Sequence, residues 1–313
     1  TMKFLVKRIF YKNYKFIRNA IKGKYKEMDD IEFITKFYNA YRGGGKIDLE
    51  NPKDIEQKMQ WYKLYYRIPL MTQCCDKYAV RKYIESIGMG KYLIRLYGVY
   101  NTFEDIDFSI MPDKIYVKCN NGSGCNAIVR KNELNRFLRK KYRNYFASGL
   151  QKNYYDIGRE WAYKNIKPKI VCEEVLESDV HKLVDFNFFC YNGKCRMIYM
   201  NIGLADENGH HSLAKRAVFD ENLHHLNYIK TQMLILEQTQ AVLPGDIMQI
   251  VKDAELISKP FPHARIDFFY IDGKYYFGEI TFYSASGFMN IEPREFVNTM
   301  GEWFDLPEKK INI

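Results

Sequence analysis

The sequence predicts an α+β fold with sheets built largely from antiparallel pairs, and three observations carry that prediction. The first is a hairpin near the C-terminus: His263 to Tyr270 and Tyr275 to Phe282 alternate with a period of two around Asp272-Gly273. The second is a similar pair, Leu183 to Tyr191 and Lys194 to Asn201, around Asn192-Gly193. The third is a set of segments with helical period lying before and between these strands.

In chain order, residues 1–26 form a basic arm. Asn51-Pro52 opens a helix in which Ile55, Met59, Tyr62 and Tyr66 recur at helical spacing. A second helix is expected from Asp76 to Ile87, stopped by Gly88 and Gly90. Leu93 to Tyr100 and Ile115 to Cys119 read as strands, and Lys131 to Phe146 as a charged helix. Gly158 to Pro168 is an irregular connection, and Ile170 to Leu176 a further strand. Residues 203–244 are polar and irregular. Asp246 to Lys259 and Pro293 to Phe304 are the last two helices. The resulting division is an N-terminal region over 1–50, an N-terminal lobe over 51–112, a central lobe over 113–178 and a C-terminal lobe over 179–313.

At 313 residues, with 47% apolar and 16% aromatic content, the chain can bury more than one core. Its net charge of +10 is concentrated in the arm, where nine Lys and Arg residues precede the first acid, Glu27. The body is therefore near neutral, which argues against nucleic acid as a partner. Two uses of the arm stay open: residues 2–26 rest on an anionic membrane surface, or they form a terminal helix covering part of the core. No run approaches the roughly 20 apolar residues that span a bilayer. Seven cysteines without Cys-x-x-Cys spacing read as free thiols in a reducing cytoplasm. The adjacent pairs His210-His211 and His224-His225 read as polar loop positions rather than metal ligands.

The C-terminal hairpin carries the most chemistry. Ala264, Ile266, Phe268 and Tyr270 form one apolar face, with Tyr276, Gly278, Ile280 and Phe282 expected beneath it on the return strand. Arg265 and Asp267 stand on the other face with Glu279 and Thr281. A strict two-residue loop would turn Glu279 to the far side. The expectation is therefore a three-residue loop, Ile271-Asp272-Gly273, pairing Asp267 with Phe277 and Arg265 with Glu279. Two carboxylates and a guanidinium on paired strands suit a divalent cation carrying phosphates; a surface hairpin with cross-strand charge pairs is the alternative.

Two further stretches support a nucleotide. Lys118 ends a strand before Asn120-Asn121-Gly122-Ser123-Gly124, placing an ammonium and loop N–H groups where phosphate oxygens would lie, although the spacing is not that of a Walker loop. Glu173-Glu174-Val175-Leu176 can offer backbone and acidic groups to an adenine edge, and Asp185 can accept from ribose hydroxyls. Lys215-Arg216 adds a cationic pair.

In order, these pieces resemble the ATP-grasp superfamily and, more closely, its teichuronopeptide-synthesis (TupA-type) branch, associated with bacterial cell-surface polysaccharide genes. The resemblance runs from about Asn51 to Pro307. It rests on Gln60-Trp61, Asp76-Lys77-Tyr78-Ala79-Val80-Arg81, Lys118 to Gly124, Gly158-Arg159-Glu160-Trp161, Tyr163 to Pro168, Phe188 to Lys194 and Phe277 to Tyr283. It implies an ATP-grasp fold: two α+β lobes with antiparallel sheets sandwiching ATP, with the Gly122–Gly124 loop as lid and a helical N-terminal region.

By position it implies Lys77, Lys118 and Lys215 as phosphate-binding cations with Arg216 and Arg265, Glu173, Glu174 and Leu176 at the adenine hinge, and Asp185 at the ribose. Asp267, Glu279 and Thr281 fall on the magnesium ligands, Thr281 where many relatives have asparagine. Asn187 stands where this branch is expected to have lysine. Lys118, Arg265 and Glu279 would be the catalytic set. Arg159, Ser284, Ser286 and Gly287 are placed to meet substrate.

The implied reaction is ATP-dependent formation of an amide. An acidic sugar or polysaccharide intermediate and an amine would be joined through an acyl phosphate, with ADP and phosphate released, in the cytoplasm at the inner membrane face. A polysaccharide-cluster kinase or glycosyltransferase, or a non-catalytic nucleotide-binding scaffold, are the alternatives.

Overall fold

The structure is a computed structural model, and it describes residues 15–178, 180–203 and 214–311. Residues 2–14 of the arm and the His210-His211 pair lie outside the described residues.

Two antiparallel sheets organise the chain. The smaller has the order β1-β4-β2-β3, from Leu96–Tyr100, Ile170–Glu173, Lys114–Cys119 and Asn126–Arg130. The larger has the order β10-β9-β5-β6-β7-β8, from Lys274–Thr281, His263–Ile271, Val184–Tyr191, Lys194–Ile202, Lys215–Asp220 and Leu234–Ile235; only β7 and β8 run parallel. The smaller sheet packs against α6 (Arg136–Leu150) through Val117, Val129, Phe103 and Phe146. The larger packs against α8 (Ile247–Ser258), whose Ile250, Ala254 and Ile257 share one helical face.

The expected lobe over 51–112 has no core of its own. Its helices, α3 (Ile55–Tyr65), α4 (Pro69–Cys75) and α5 (Val80–Ser86), join the larger sheet's core, whereas Phe103, Ile106, Phe108 and Met111 join the smaller sheet's. The chain crosses between the sheets at 88–95, where burying one apolar face against each sheet takes precedence over sequence order.

The N-terminal region is a helical pair, α1 (15–21) and α2 (Asp30–Tyr41), with Asp29 capping α2 by accepting from the Ile31 and Glu32 amides. Ala20, Phe33, Ile34, Phe37 and Tyr38 bury their side chains against Leu64 and Phe288. From residue 15 onward the arm therefore covers core, while Lys15, Arg18, Lys22, Lys24 and Lys26 stay exposed.

Two sequence expectations need correction. Residues 203–244 contain a six-residue strand, β7, and α4 fills 69–75 with a proline in its first turn. The β9–β10 connection is a two-residue turn, since Lys274 pairs with Ile271 and both Asp272 (φ 49°) and Gly273 (φ 74°) are left-handed. The slip lies further along, at Gly278, where Phe277 pairs with Phe268 but Glu279 pairs with Asp267. A Cβ on Gly278 would stand 3.1 Å from the Asp267 carbonyl oxygen, so the bulge sits where a side chain is tightly accommodated. Tyr275 and Phe277, rather than Tyr276 and Gly278, consequently enter the core ahead of Ile280 and Phe282.

Candidate active site

The bulge puts Arg265, Asp267, Glu279 and Thr281 on one face of the hairpin, as expected, but through different pairings: Asp267 with Glu279 and Arg265 with Thr281. Arg265 is the hub. Its Nε donates to Asp267 Oδ1 at 2.7 Å, and one terminal nitrogen reaches Asp267 Oδ2, Glu279 Oε1 at 3.2 Å and the Thr281 hydroxyl at 3.1 Å. Thr281 in turn donates to Glu279 Oε1 at 3.0 Å, and Lys77 pairs with the other Glu279 oxygen.

Burial alone would lift the Glu279 carboxyl, but Lys77 and Arg265 outweigh it and hold it down at about 2. Asp267 is raised because its deeper burial prevails over Arg265. The Arg265 guanidinium stays charged: burial opposes this, and the surrounding carboxylates more than offset it.

The same sheet face continues across β5, β6 and β7, because directly opposed residues share a face. Asn187 pairs with Asp267, and Asp185, Asn201 and Arg216 stand in one row. Asn187 donates to Asp185 Oδ1 at 2.9 Å, Asn201 donates to Asn187 Oδ1 at 2.7 Å, and Arg216 donates to Asn201 Oδ1 at 2.6 Å. Burial, with the Asp267 charge second, pushes Asp185 up to about 7. Lys215 belongs elsewhere, since strand alternation turns it to the opposite face from Arg216.

The smaller sheet supplies Lys118, whose ammonium lies 2.5 Å from Glu173 Oε2, with Arg81 3.5 Å from the other oxygen. Lys118 thus faces Glu173 and is not among the described residues bordering the cavity. Glu174 and Leu176 follow in the irregular connection from β4 to β5, between the two sheets.

The loop after Lys118 is anchored at its start. Asn120 accepts from the Lys169 amide at 2.6 Å, and Asn121 donates to the Lys152 carbonyl at 2.8 Å. The tip packs on Tyr154, whose hydroxyl donates to the Ser123 carbonyl at 2.9 Å and accepts from its amide at 3.2 Å. Gly122 and Ser123, with Arg265, Glu279 and Thr281, border a cavity of about 350 Å³. Gly124 (φ 74°) completes the loop.

Ser286, Glu160 and Tyr163 also line that cavity, with Ile17, Ile21, Phe37 and Tyr41 of the N-terminal helices adding apolar lining. Ala285 (φ 49°), Ser286 (φ 52°) and Gly287 (φ 83°) are successive left-handed residues. Lys63 holds this turn, donating to the Ser286 carbonyl at 2.8 Å, its hydroxyl at 2.9 Å and Gln60 Oε1 at 3.0 Å. Ser284 accepts from Arg265 at 3.4 Å. Gly287 packs against Gln60 and Met59, leaving it beneath the turn rather than in the cavity.

A sequence-family model described as TupA-like ATP-grasp matches residues 57–305. The chain belongs to the TupA-like ATP-grasp family. No match was found among curated proteins. Among solved structures, a Bacillus anthracis D-alanine–D-alanine ligase complexed with ATP aligns at 16% identity over 68% of this chain and 56% of that one, with a TM-score of 0.38. The ATP-grasp ligase PsnB, complexed with a phosphomimetic precursor variant, Mg and ADP, aligns at 11% identity over 90% and 73%, TM-score 0.41. A Bacillus licheniformis L-amino acid ligase aligns at 10% identity over 85% and 52%, TM-score 0.39. This chain thus matches little more than half the length of two of these three structures.

Within this TupA-like chain Arg159, like Gly287, lies away from the cavity it was expected to line. Arg159 is 1% exposed and clasps the N-terminal region, donating to the Tyr25 and Met28 carbonyls at 2.7 and 2.8 Å and pairing with Asp30 at 2.9 Å. With those donors committed, it has none to offer an acidic sugar. Its neighbour Glu160 lines the cavity instead.

Sequence reasoning also passed over Tyr154 and Lys63. Gln60 and Lys63, three apart on α3, share a helical face. A glutamine and a lysine three apart within a helix rich in apolar residues were the available signal for Lys63; nothing local marks Tyr154.

Proposed function

We propose that this protein is an ATP- and magnesium-dependent carboxylate–amine ligase acting on an acidic sugar or amino-acid component of a bacterial surface polysaccharide. The observation that carries the reading is the hairpin network: Asp267 and Glu279, opposed on neighbouring strands, share Arg265 at the edge of a cavity roofed by Gly122 and Ser123.

The residues fit the nucleotide and its metal. Magnesium is commonly held by one or two carboxylates together with phosphate oxygens, and Asp267 and Glu279 offer hard oxygens of that kind. Among the described residues no three His, Cys, Asp or Glu side chains cluster as a metal cage, so coordination would be shared with phosphate. The Thr281 hydroxyl is the weakest of the three expected donors. Bound magnesium would offset charge on the transferred phosphoryl group.

The chain's own groups would do the rest. Arg265 and Lys77, released from the carboxylates, would turn to phosphate oxygens, and Lys118 would exchange Glu173 for the same partner. Arg216, on the same sheet face, is a further candidate. Glu173 to Leu176 and Asp185 stand where the nucleoside would be held. Tyr154 would set the position of the loop and, with it, the exclusion of water. The substrate carboxylate would attack the terminal phosphorus and displace ADP. The amine nitrogen would then attack the acyl carbon, breaking its bond to the phosphate oxygen and losing a proton that leaves with the phosphate.

The exposed lysines and arginine of residues 15–26, with residues 2–14 before them, are proposed to bring the enzyme to an anionic membrane surface on the cytoplasmic side. Among the described residues no helix is long and apolar enough to cross a membrane.

Incubation with ATP, magnesium and panels of uronic acids and amines, read by mass spectrometry, tests the reaction. A condensed product with ADP and phosphate is the expected result. A stable phosphate ester would make the protein a kinase, and binding without turnover would make it a scaffold.

A further inference from the structure

The cavity is lined by two chemically different groups of residues. One includes Arg265, Glu279 and the glycine loop. The other includes Glu160, which is only 8% exposed and lines the cavity at the foot of the left-handed Ala285–Gly287 turn. No lysine, arginine or histidine nitrogen of the described residues lies within 4.0 Å of its carboxylate. Burial raises the Glu160 carboxyl, opposed by the Lys63 charge and by the Ser286 hydroxyl, while Lys63 directs its own hydrogen bonds to Gln60 and Ser286.

Tyr154 and Tyr163, with ring centroids 5.4 Å apart, lie within electrostatic reach of both Glu160 and Glu279. Both rings also line the cavity. Tyr41 also feels the Glu160 charge, and Phe37 and Ile17 close the apolar side.

A buried carboxylate without an ion-pair partner is costly, and a cation from outside the chain removes that cost. Aromatic rings around it add attraction for the same charge. Neutral or anionic ligands gain neither contribution.

We propose that Glu160 forms the acceptor subsite, holding the ammonium group of a compact amine with an apolar flank against Tyr154, Tyr163 and the α1–α2 wall. This rests on the ligase reading and deepens it: Arg265, Glu279 and the loop activate the carboxylate, and Glu160 holds the ammonium, which attacks only after giving up a proton to the carboxylate that binds it. The substrate's positive charge, rather than its hydroxyl pattern, is then what the subsite selects.

The experiment measures binding without turnover. n-Butylammonium and its neutral counterpart n-butanol are titrated against the full chain by saturation-transfer NMR, with binding of a non-hydrolysable ATP analogue measured alongside. Wild type should bind the ammonium roughly tenfold tighter than the alcohol, the worth of one charge-assisted hydrogen bond. Glu160→Gln should bring the two within about twofold while analogue binding persists. Equal binding of ammonium and alcohol by wild type overturns the proposal even if Glu160→Gln fails to fold. An unchanged preference in a folded Glu160→Gln overturns it too. An ammonium preference at Glu160 in a protein that yields only a phosphate ester upholds the subsite and removes the ligase reading; a condensed product without that preference does the reverse.

Discussion

Replacing Arg159 with methionine should detach the N-terminal helices and leave nucleotide binding in place. The arginine is left-handed (φ 54°), its guanidinium stacks 4.3 Å from the Phe33 ring, and it reaches the carbonyls of Tyr25, Lys26, Met28 and Tyr155 at 2.7 to 3.3 Å. Asp30, paired with it at 2.9 Å, also accepts from Arg67 and Tyr155 at 2.7 Å each.

Methionine keeps much of the stem but none of the donors. Hydrogen bonds from a charged donor contribute about 1.5–3 kcal/mol each. Their sum would overstate the loss, because residues 25–28 lie at the surface and regain water. Breaking a buried ion pair from one side, about 3–5 kcal/mol, is the better magnitude. Against a total stability of roughly 5–15 kcal/mol this is severe, and it falls on the contacts of α1 and α2.

The assay is hydrogen exchange over residues 15–41, with tryptic cleavage at the exposed Lys22, Lys24 and Lys26. Faster exchange and cleavage confined to that region are expected. Native exchange combined with a raised KM for the acidic substrate would refute the clasp and return Arg159 to substrate binding.

Three other outcomes follow from the site and its surroundings. Burial holds the His263 imidazole down at about 3. The unfolded chain therefore takes up a proton near 6.5 that the folded chain refuses, so stability should fall as pH drops from 6.5 towards 3, by on the order of a few kcal/mol. His263→Gln should flatten that limb of a pH series of urea melts. Tyr154→Phe removes both hydrogen bonds to Ser123 and should raise the KM for ATP about fivefold, with a smaller change in kcat. Glu279→Gln, assayed by ADP release, should lower turnover roughly a hundredfold or more while urea melts show a folded protein.

The hairpin was legible because period two and the Asp-Gly turn are local, whereas keeping Glu279 on the charged face with a two-residue turn takes the slip at Gly278. The site of its slip depends on which pairing the core prefers. Gly278, an isolated glycine within a strand, was the sign of it. Strand β7 was readable from Ala217-Val218-Phe219 but lay among polar neighbours, and β3, with exposed Asn126, Ile128 and Arg130, shows little alternation of polarity. Arg159, expected to meet substrate, is instead buried against the N-terminal helices for a physical reason. Arginine is seldom fully buried, and no local pattern announces that a left-handed arginine will turn inward to meet the carbonyls of a distant helical pair. Lys215 and Arg216 could be separated only once their strand had neighbours.

The central claim is that the hairpin site activates a carboxylate by phosphorylation before an amine displaces the phosphate. Once the acidic substrate is found, it should be supplied with both carboxylate oxygens as oxygen-18, and the released inorganic phosphate examined by mass spectrometry. The account predicts one heavy oxygen in each phosphate formed with product. Phosphate carrying no label, alongside a normal yield of amide, would contradict it.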